Sequence, residues 1–268
     1  MTARPAFPYP LSLFDVSGQV VVITGASGAL GRIVAVALGS LGAKLLLVSG
    51  SAEALAAVAG EVRGAGGEAE TLERRPDSLE DAEAIIAAAV AAFGHVDSVF
   101  VASGYNKPAM IEDMRYEDWQ AVMDANVRGP WLMAKVLGTH LIGRSARGRL
   151  LLESSVRGRH GNAAGYTAYS TSKGATDALT RVLATEWGKH GINVNAIAPA
   201  VFRSALTDWI FADTEAGAES RARNYARIPL GRLGEPEDFV GLALYLLSAA
   251  SDFVTGQVVY VDGGYTAA

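Results

Sequence analysis

The 268-residue sequence contains no cysteine. Disulfides, thiolate nucleophiles and cysteine-ligated metal sites are thereby excluded, and the absence suits a reducing compartment. Histidine is scarce. His95, His140, His160 and His190 lie far apart without HxH or HxxxH spacing, so no zinc site is expected. No apolar run approaches the roughly 20 residues that span a bilayer. The opening MTARPAFPYP, with its three prolines, lacks the apolar segment of a signal peptide. A soluble, cytoplasmic protein is expected. Positive charge is not in excess either: 23 Lys and Arg against 28 Asp and Glu leave a net charge of -5. That balance is not the electrostatic footprint of a nucleic-acid binder.

What is present is apolar and periodic. Hydrophobic residues make up 50% of the chain and charged ones 19%, enough for a large buried core. Short runs of β-branched residues and leucine alternate with longer Ala-rich runs of helical period. Strands are predicted at 19–24 (QVVVIT), 44–48, 70–72, 98–102, 149–153, 193–197 and 257–261. Helices are predicted at 29–41, 52–63, 79–93, 116–141, 169–190 and 239–249. Such alternation builds a parallel sheet covered on both faces, because each crossover returns by a right-handed helix. Strands without internal alternation suit burial on both sides. The expected architecture is therefore α/β: one doubly wound domain of about seven strands over 14–268, preceded by an extended arm at 1–13. The segment 203–228 fits the alternation poorly and reads as an insertion above the strand ends, where such sheets bind ligands.

Between the first strand and first helix stands the octet Thr24, Gly25, Ala26, Ser27, Gly28, Ala29, Leu30, Gly31. Glycines there allow a tight turn and let backbone N–H groups approach a pyrophosphate, which the helix N-terminus favours. A bare Gly-rich turn is weak evidence alone; its place directly after the first strand makes it a dinucleotide signal. Further on, Tyr169 and Lys173 in YSTSK are four apart, so on a helix they share one face. A phenol with a pKa near 10 exchanges protons poorly at neutral pH. A neighbouring ammonium is expected to lower that value and let Tyr169 act as acid or base.

The octet resembles the TGxxxGxG loop of the short-chain dehydrogenase/reductase family, and the resemblance runs from about Phe14 to the Asp262-Gly263-Gly264 segment. Its middle glycine falls on Ala29, with Gly28 one place earlier. The resemblance implies a Rossmann-type fold and an NAD(P)(H)-dependent oxidoreductase that interconverts a secondary alcohol and a ketone. It implies a catalytic set of Asn126 (proton relay), Ser155 (substrate oxygen), Tyr169 (acid–base) and Lys173.

The cofactor would contact Gly25, Ser27, Gly28, Ala29, Leu30, Gly31, Ser49, Asp77, Ala102, Gly104, Tyr169, Lys173, Pro199, Val201 and Ser204. Ser49 replaces the Asp that NAD-preferring members carry at the end of the second strand. That absence, with Arg74 or Arg75 within reach, slightly favours NADP(H) over NAD(H). The family's NNAG signature survives only as Gly104. Residues expected around a small carbonyl or alcohol substrate are Tyr105, Arg157, His160, Tyr166 and Trp209. Homo-oligomers, tetrameric or dimeric, are the family's habit. The serines lie in no GxSxG motif, which argues against a serine hydrolase. A non-catalytic nucleotide-binding protein, and an epimerase or dehydratase of the same family, stand as alternatives.

Overall fold

The computed structural model describes residues 10–204 and 207–268. Most of the expected arm lies outside them. Its end, Pro10–Phe14, is a turn of 3-10 helix rather than extended chain.

The strands are β1 (Val20–Thr24), β2 (Lys44–Ser49), β3 (Glu68–Glu73), β4 (Ser98–Val101), β5 (Gly148–Glu153), β6 (Ile192–Pro199) and β7 (Val258–Val261). They form one sheet in the order β3-β2-β1-β4-β5-β6-β7, every pair parallel. The winding reverses between β1 and β4, which opens a crevice at the carboxyl ends of those two strands. The helices are α1 (Ala29–Ser40), α2 (Ala52–Gly64), α3 (Leu79–Phe93), α4 (Tyr116–Met123), α5 (Gly129–Gly143), α6 (Thr167–Trp187), α7 (Asp208–Phe211), α8 (Glu215–Tyr225) and α9 (Glu237–Leu247). The segment that broke the alternation is thus helical, holding α7 and α8.

The period of two along each strand sorts the core into two layers. Val22, Val99, Leu150 and Leu152 join Ile85, Met133 and Leu183, so α3, α5 and α6 cover one face. Ile23, Phe100, Leu151 and Ile197 join Leu38, Leu55 and Phe239, so α1, α2 and α9 cover the other. Burying each such side chain stabilises the fold by about 1.5–3 kcal/mol before the cost of ordering the chain.

One predicted element divides. The helix expected over 116–141 is α4, a π-helical stretch Asp124–Arg128, then α5. Pro130 explains the break: it has no N–H to offer the carbonyl four residues earlier, on Asn126. That freed carbonyl instead accepts from Thr176 Oγ1 at 3.4 Å. Single π turns of this kind recur at functional sites.

Candidate active site

The β1–α1 turn forms a cradle. Gly25 has φ 70°, and a Cβ on it would fall 2.6 Å from the backbone of Ala102 and Ser103. Only glycine fits where the exit from β1 presses against the end of β4. A Cβ on Gly31 would likewise strike the Gly25 carbonyl oxygen. Gly28 is the N-cap of α1 and has no side chain to satisfy the first-turn N–H groups; no acidic residue occupies that turn. Ser27 and Gly28 are exposed, Ala29 and Leu30 partly so. An open helix N-terminus of this kind suits a diphosphate, through its N–H groups and its positive dipole end.

At the far side of the crevice, Ser49 ends β2, nearly buried, with its hydroxyl 3.3 Å from the Ser51 N–H. The Arg75 guanidinium lies over the neighbouring Gly50, where a Cβ would come 2.5 Å from Arg75 Nε. Among the described residues Arg75 has no carboxylate partner, whereas Arg74 is tied to Asp81 at 2.6 Å. Of the two arginines noted in the sequence, Arg75 is the one left free. Asp77 is exposed in the β3–α3 turn, beyond the buried Pro76.

The YSTSK segment forms part of α6, and the expected four side chains converge. Ser155, after β5, is nearly buried; its hydroxyl faces the Tyr169 phenol, lowering the phenol's pKa, and lies 3.5 Å from the Pro199 carbonyl. Lys173 is buried, with Nζ donating to the Glu153 carbonyl at 2.7 Å and lying 5.5 Å from the centre of the Tyr169 ring. Asn126 donates to the Tyr105 carbonyl at 2.8 Å and to Ser172 Oγ at 2.9 Å, and accepts from the Tyr105 N–H at 2.7 Å. Gly104 sits against both: a Cβ there would lie 3.6 Å from Asn126 Oδ1 and 3.7 Å from Lys173 Nζ. Ser154, the alternative to Ser155, points away, its hydroxyl donating to Asp177.

The electrostatics correct one expectation. The Tyr169 phenol is held above its ordinary value, not below it. Burial is the main cause and the Glu153 carboxylate adds to it; the Ser155 hydrogen bond opposes both. The ammonium expected to lower it is bonded to the Glu153 carbonyl, and burial pulls Lys173 down from its own ordinary value while Glu153 and Asp177 pull it up. Glu153 is a residue the sequence did not single out. Burial pushes its carboxyl up to about 7, against the pull of Lys173.

A carboxyl raised in the folded state contributes stability that is full below its ordinary 4.5 and lost as pH rises through about 7. Glu153→Gln removes that titration. The variant is therefore expected to gain on the wild type as pH rises from 5 to 7.5, by about 1–2 kcal/mol. Thermal melts across that range would show a Tm difference that widens with pH; a constant difference would contradict the assignment.

The substrate candidates divide. Tyr166 meets Tyr169 edge-on with ring centres 6.0 Å apart. The Arg157 guanidinium lies 6.0 Å from the Tyr166 ring and 5.5 Å from that of Tyr265, and it donates to the Tyr265 hydroxyl at 3.2 Å. His160 meets Tyr265 edge-on, and Arg227 lies 4.4 Å over the same ring. Tyr265 was not anticipated; an aromatic directly after the chain's last glycine pair was its only signal. Tyr105 is 43% exposed beside Asn126, and Trp209 is 54% exposed on α7, outside these ring contacts among the described residues. Pro199 ends β6, Val201 lies two residues beyond it, and Ser204 hydrogen-bonds Thr207.

A family model described as enoyl-(acyl carrier protein) reductase matches residues 25–266. The chain belongs to the short-chain dehydrogenase/reductase family and is an oxidoreductase, of a fold that binds NAD(P). An uncharacterized oxidoreductase of Mycobacterium tuberculosis is 53% identical over 96% of this chain and 94% of its own. Gluconate 5-dehydrogenase of Gluconobacter oxydans is 34% identical over 95% of this chain and 97% of its own. A crystal structure from Beutenbergia cavernae, described as an NAD(P)-dependent gluconate 5-dehydrogenase with NADP at low occupancy, is 34% identical. It matches with a TM-score of 0.88 over 96% of this chain and 100% of that one. Among the described residues no helix is long and apolar enough to cross a membrane.

Proposed function

We propose that this chain interconverts a secondary alcohol and a ketone with NADP(H), and that Tyr169 carries the proton. The observation that carries this reading is the convergence of the Ser155 hydroxyl and the Tyr169 phenol, with Lys173 Nζ 5.5 Å from the centre of the phenol ring. The dinucleotide supplies or takes the hydride. Ser155 holds the substrate oxygen, and Tyr169 gives it a proton during reduction or takes one during oxidation. A phenol kept protonated by burial is a donor, which suits the reductive direction. Lys173 and Asn126 line the floor of the site; the lysine would help hold the bound dinucleotide and Asn126 would relay the proton. Gly25, Ser27, Gly28, Ala29, Leu30 and Gly31 would hold the diphosphate. Ala102, Gly104, Pro199, Val201 and Ser204 would flank the nicotinamide half.

NADP(H) is the preferred cofactor on this reading, because the unpaired Arg75 and the neutral Ser49 together suit a 2′-phosphate. The substrate is anionic. Arg157 and Arg227 both lie over the Tyr265 ring, Arg157 also near Tyr166 beside Tyr169, and neither has a carboxylate partner among the described residues. A polyhydroxy or keto acid, of the kind named for the Gluconobacter relative, fits such a pair. One catalytic domain over 14–268 in the cytoplasm, assembled as a homo-oligomer, completes the reading. The edge strand β7, whose Val258, Val259, Tyr260 and Val261 are each only partly covered, supports the assembly.

A panel of keto acids and matched neutral ketones, scored by NADPH consumption, tests this. Turnover is expected for carboxylates, with at least about tenfold higher kcat/KM than for neutral counterparts of the same length. Tight NADPH binding without turnover of any carbonyl compound would favour the non-catalytic alternative.

A further inference from the structure

Glu153 is out of place. It ends the run Leu150-Leu151-Leu152-Glu153, and the period of two puts it on the same face as Leu151, the face covered by α1, α2 and α9. Its partner in the sheet is Ile197, fully buried on that face. On the other side, β4 runs beside β5 up to Val101↔Leu152, so Ala102 stands next to Glu153. An apolar residue would continue this row. Instead there is a carboxyl to which no described residue offers a hydrogen bond or ion pair. A poorly solvated, unpartnered carboxylate costs stability, and such a group in a cleft is a candidate functional residue.

The position has a chemical meaning once the two ends of the crevice are joined, which rests on the dinucleotide reading above. The diphosphate seat is the N-terminus of α1, on the face of the sheet that Glu153 shares. The reacting carbon must sit beside the oxygen held by Ser155 and Tyr169. A hydride donor must reach that carbon to within roughly 3–3.5 Å. A chain of atoms running from one end to the other crosses the carboxyl ends of β4 and β5, over Ala102 and Glu153. The nicotinamide ring is a cation when oxidised and neutral when reduced.

We infer that Glu153 is a specificity-determining residue for the redox state of the cofactor, its carboxylate favouring the oxidised, cationic dinucleotide over the reduced one. The same charge assists reduction, because positive charge develops on the ring as the hydride leaves. Binding of the oxidised form to protonated Glu153 then releases one proton from the carboxyl to solvent, and binding of the reduced form releases none.

The groups able to compete are few. From α6, Lys173 and Tyr169 face Glu153, with Asp177 behind Lys173. From β4 and β6 the neighbours Ala102 and Ile197 carry no charge. The β1–α1 turn from Thr24 to Leu30 has none, and Arg32 beyond it is paired with Glu61. On α9 the acids are Glu237 and Asp238, the latter paired with Arg232 at 2.6 Å. Since the Glu153 carboxyl titrates at about 7, its preference is absent at pH 5.5 and full at pH 8.5.

Calorimetric titration of NADP+ and fluorescence titration of NADPH, from pH 5.5 to 8.5, tests the inference without reference to turnover. In the wild type the ratio of Kd values is expected to move about tenfold toward NADP+ across that range. Glu153→Gln is expected to flatten the ratio and leave it where the wild type stands at acid pH, while Glu153→Asp keeps the slope. Glu153→Leu, which continues the apolar row, replaces the Gln variant should that one not fold. A flat ratio in the wild type, with both forms bound, overturns the inference alone. A slope that persists in the Gln or Leu variant assigns the titration to Lys173 and also overturns it. Failure to bind either dinucleotide overturns the functional reading together with this one.

Discussion

Tyr169→Phe is expected to lower kcat by about 10³-fold or more while the Kd for NADPH changes by less than about threefold. The size follows from the role: a positioned acid–base group contributes roughly 10²–10⁴-fold, and no other described phenol faces Ser155 to take its place. The selectivity follows from the packing. Phenylalanine keeps the edge-on contact with Tyr166 and the proximity of Lys173 Nζ to the ring face. The substitution therefore removes one hydroxyl and leaves the cofactor's surroundings in place. Ser155 loses its phenol partner but retains the Pro199 carbonyl, so its hydroxyl is not left unbonded. Steady-state kinetics on the best keto acid, beside an NADPH fluorescence titration of the same preparation, measures both quantities. A variant retaining a tenth of wild-type kcat would remove Tyr169 from the acid–base role.

The pH profile offers a companion check on the same group. Because burial and the Glu153 carboxylate both hold the phenol protonated, the reductive kcat should not fall for want of a donor anywhere below pH 9. A gain of reductive rate through pH 7–8 that disappears in Glu153→Gln would trace to the carboxyl, not to the phenol.

Much of the fold was legible because strands buried on both faces leave an unmistakable mark. The runs VVVIT and LLLV admit no amphipathic alternative, and Leu79–Phe93 emerges with both bounds as predicted because Ser78 caps its start and Gly94, at φ 88°, ends it. The helix over 116–141 failed for a local reason. Its apolar pattern is continuous, and the break comes from one missing N–H at Pro130, a signal present in the sequence but outweighed by the periodicity. The site was legible where one element carries both groups, as Tyr169 and Lys173 do. Where separate elements meet, the sequence was silent. Nothing in YSTSK indicates that the ammonium turns to the Glu153 carbonyl or that a carboxylate acts on both groups. The sign of the Tyr169 shift therefore depended on how deeply the fold buries the phenol, with a carboxylate 16 positions away on β5 adding to it. Glu153 did leave a trace, a charge at the end of LLLE where the period of two asks for an apolar side chain.

The second large effect concerns cofactor choice. Arg75→Ala is expected to weaken NADPH binding by about 10- to 100-fold, because a charge-assisted contact to a phosphate contributes about 1.5–3 kcal/mol. NADH, which has no 2′-phosphate, should be affected by less than about twofold. Ser49→Asp acts from the other side. Its carboxylate would accept the ribose hydroxyls of NADH and repel the phosphate of NADPH, so the double variant should invert the preference outright. Ser49 sits nearly buried at the end of β2 with only its own turn as a partner, so the added carboxylate has no cation to neutralise it once Arg75 is gone. Salt provides the control that a packing effect cannot imitate. NADPH affinity of the wild type should fall more steeply with ionic strength than that of Arg75→Ala, since one screened charge pair has been deleted. Equal losses for NADH and NADPH in Arg75→Ala would mean that the guanidinium only props the β2–α2 turn over Gly50, and the preference for the phosphorylated cofactor would have to come from elsewhere in the crevice.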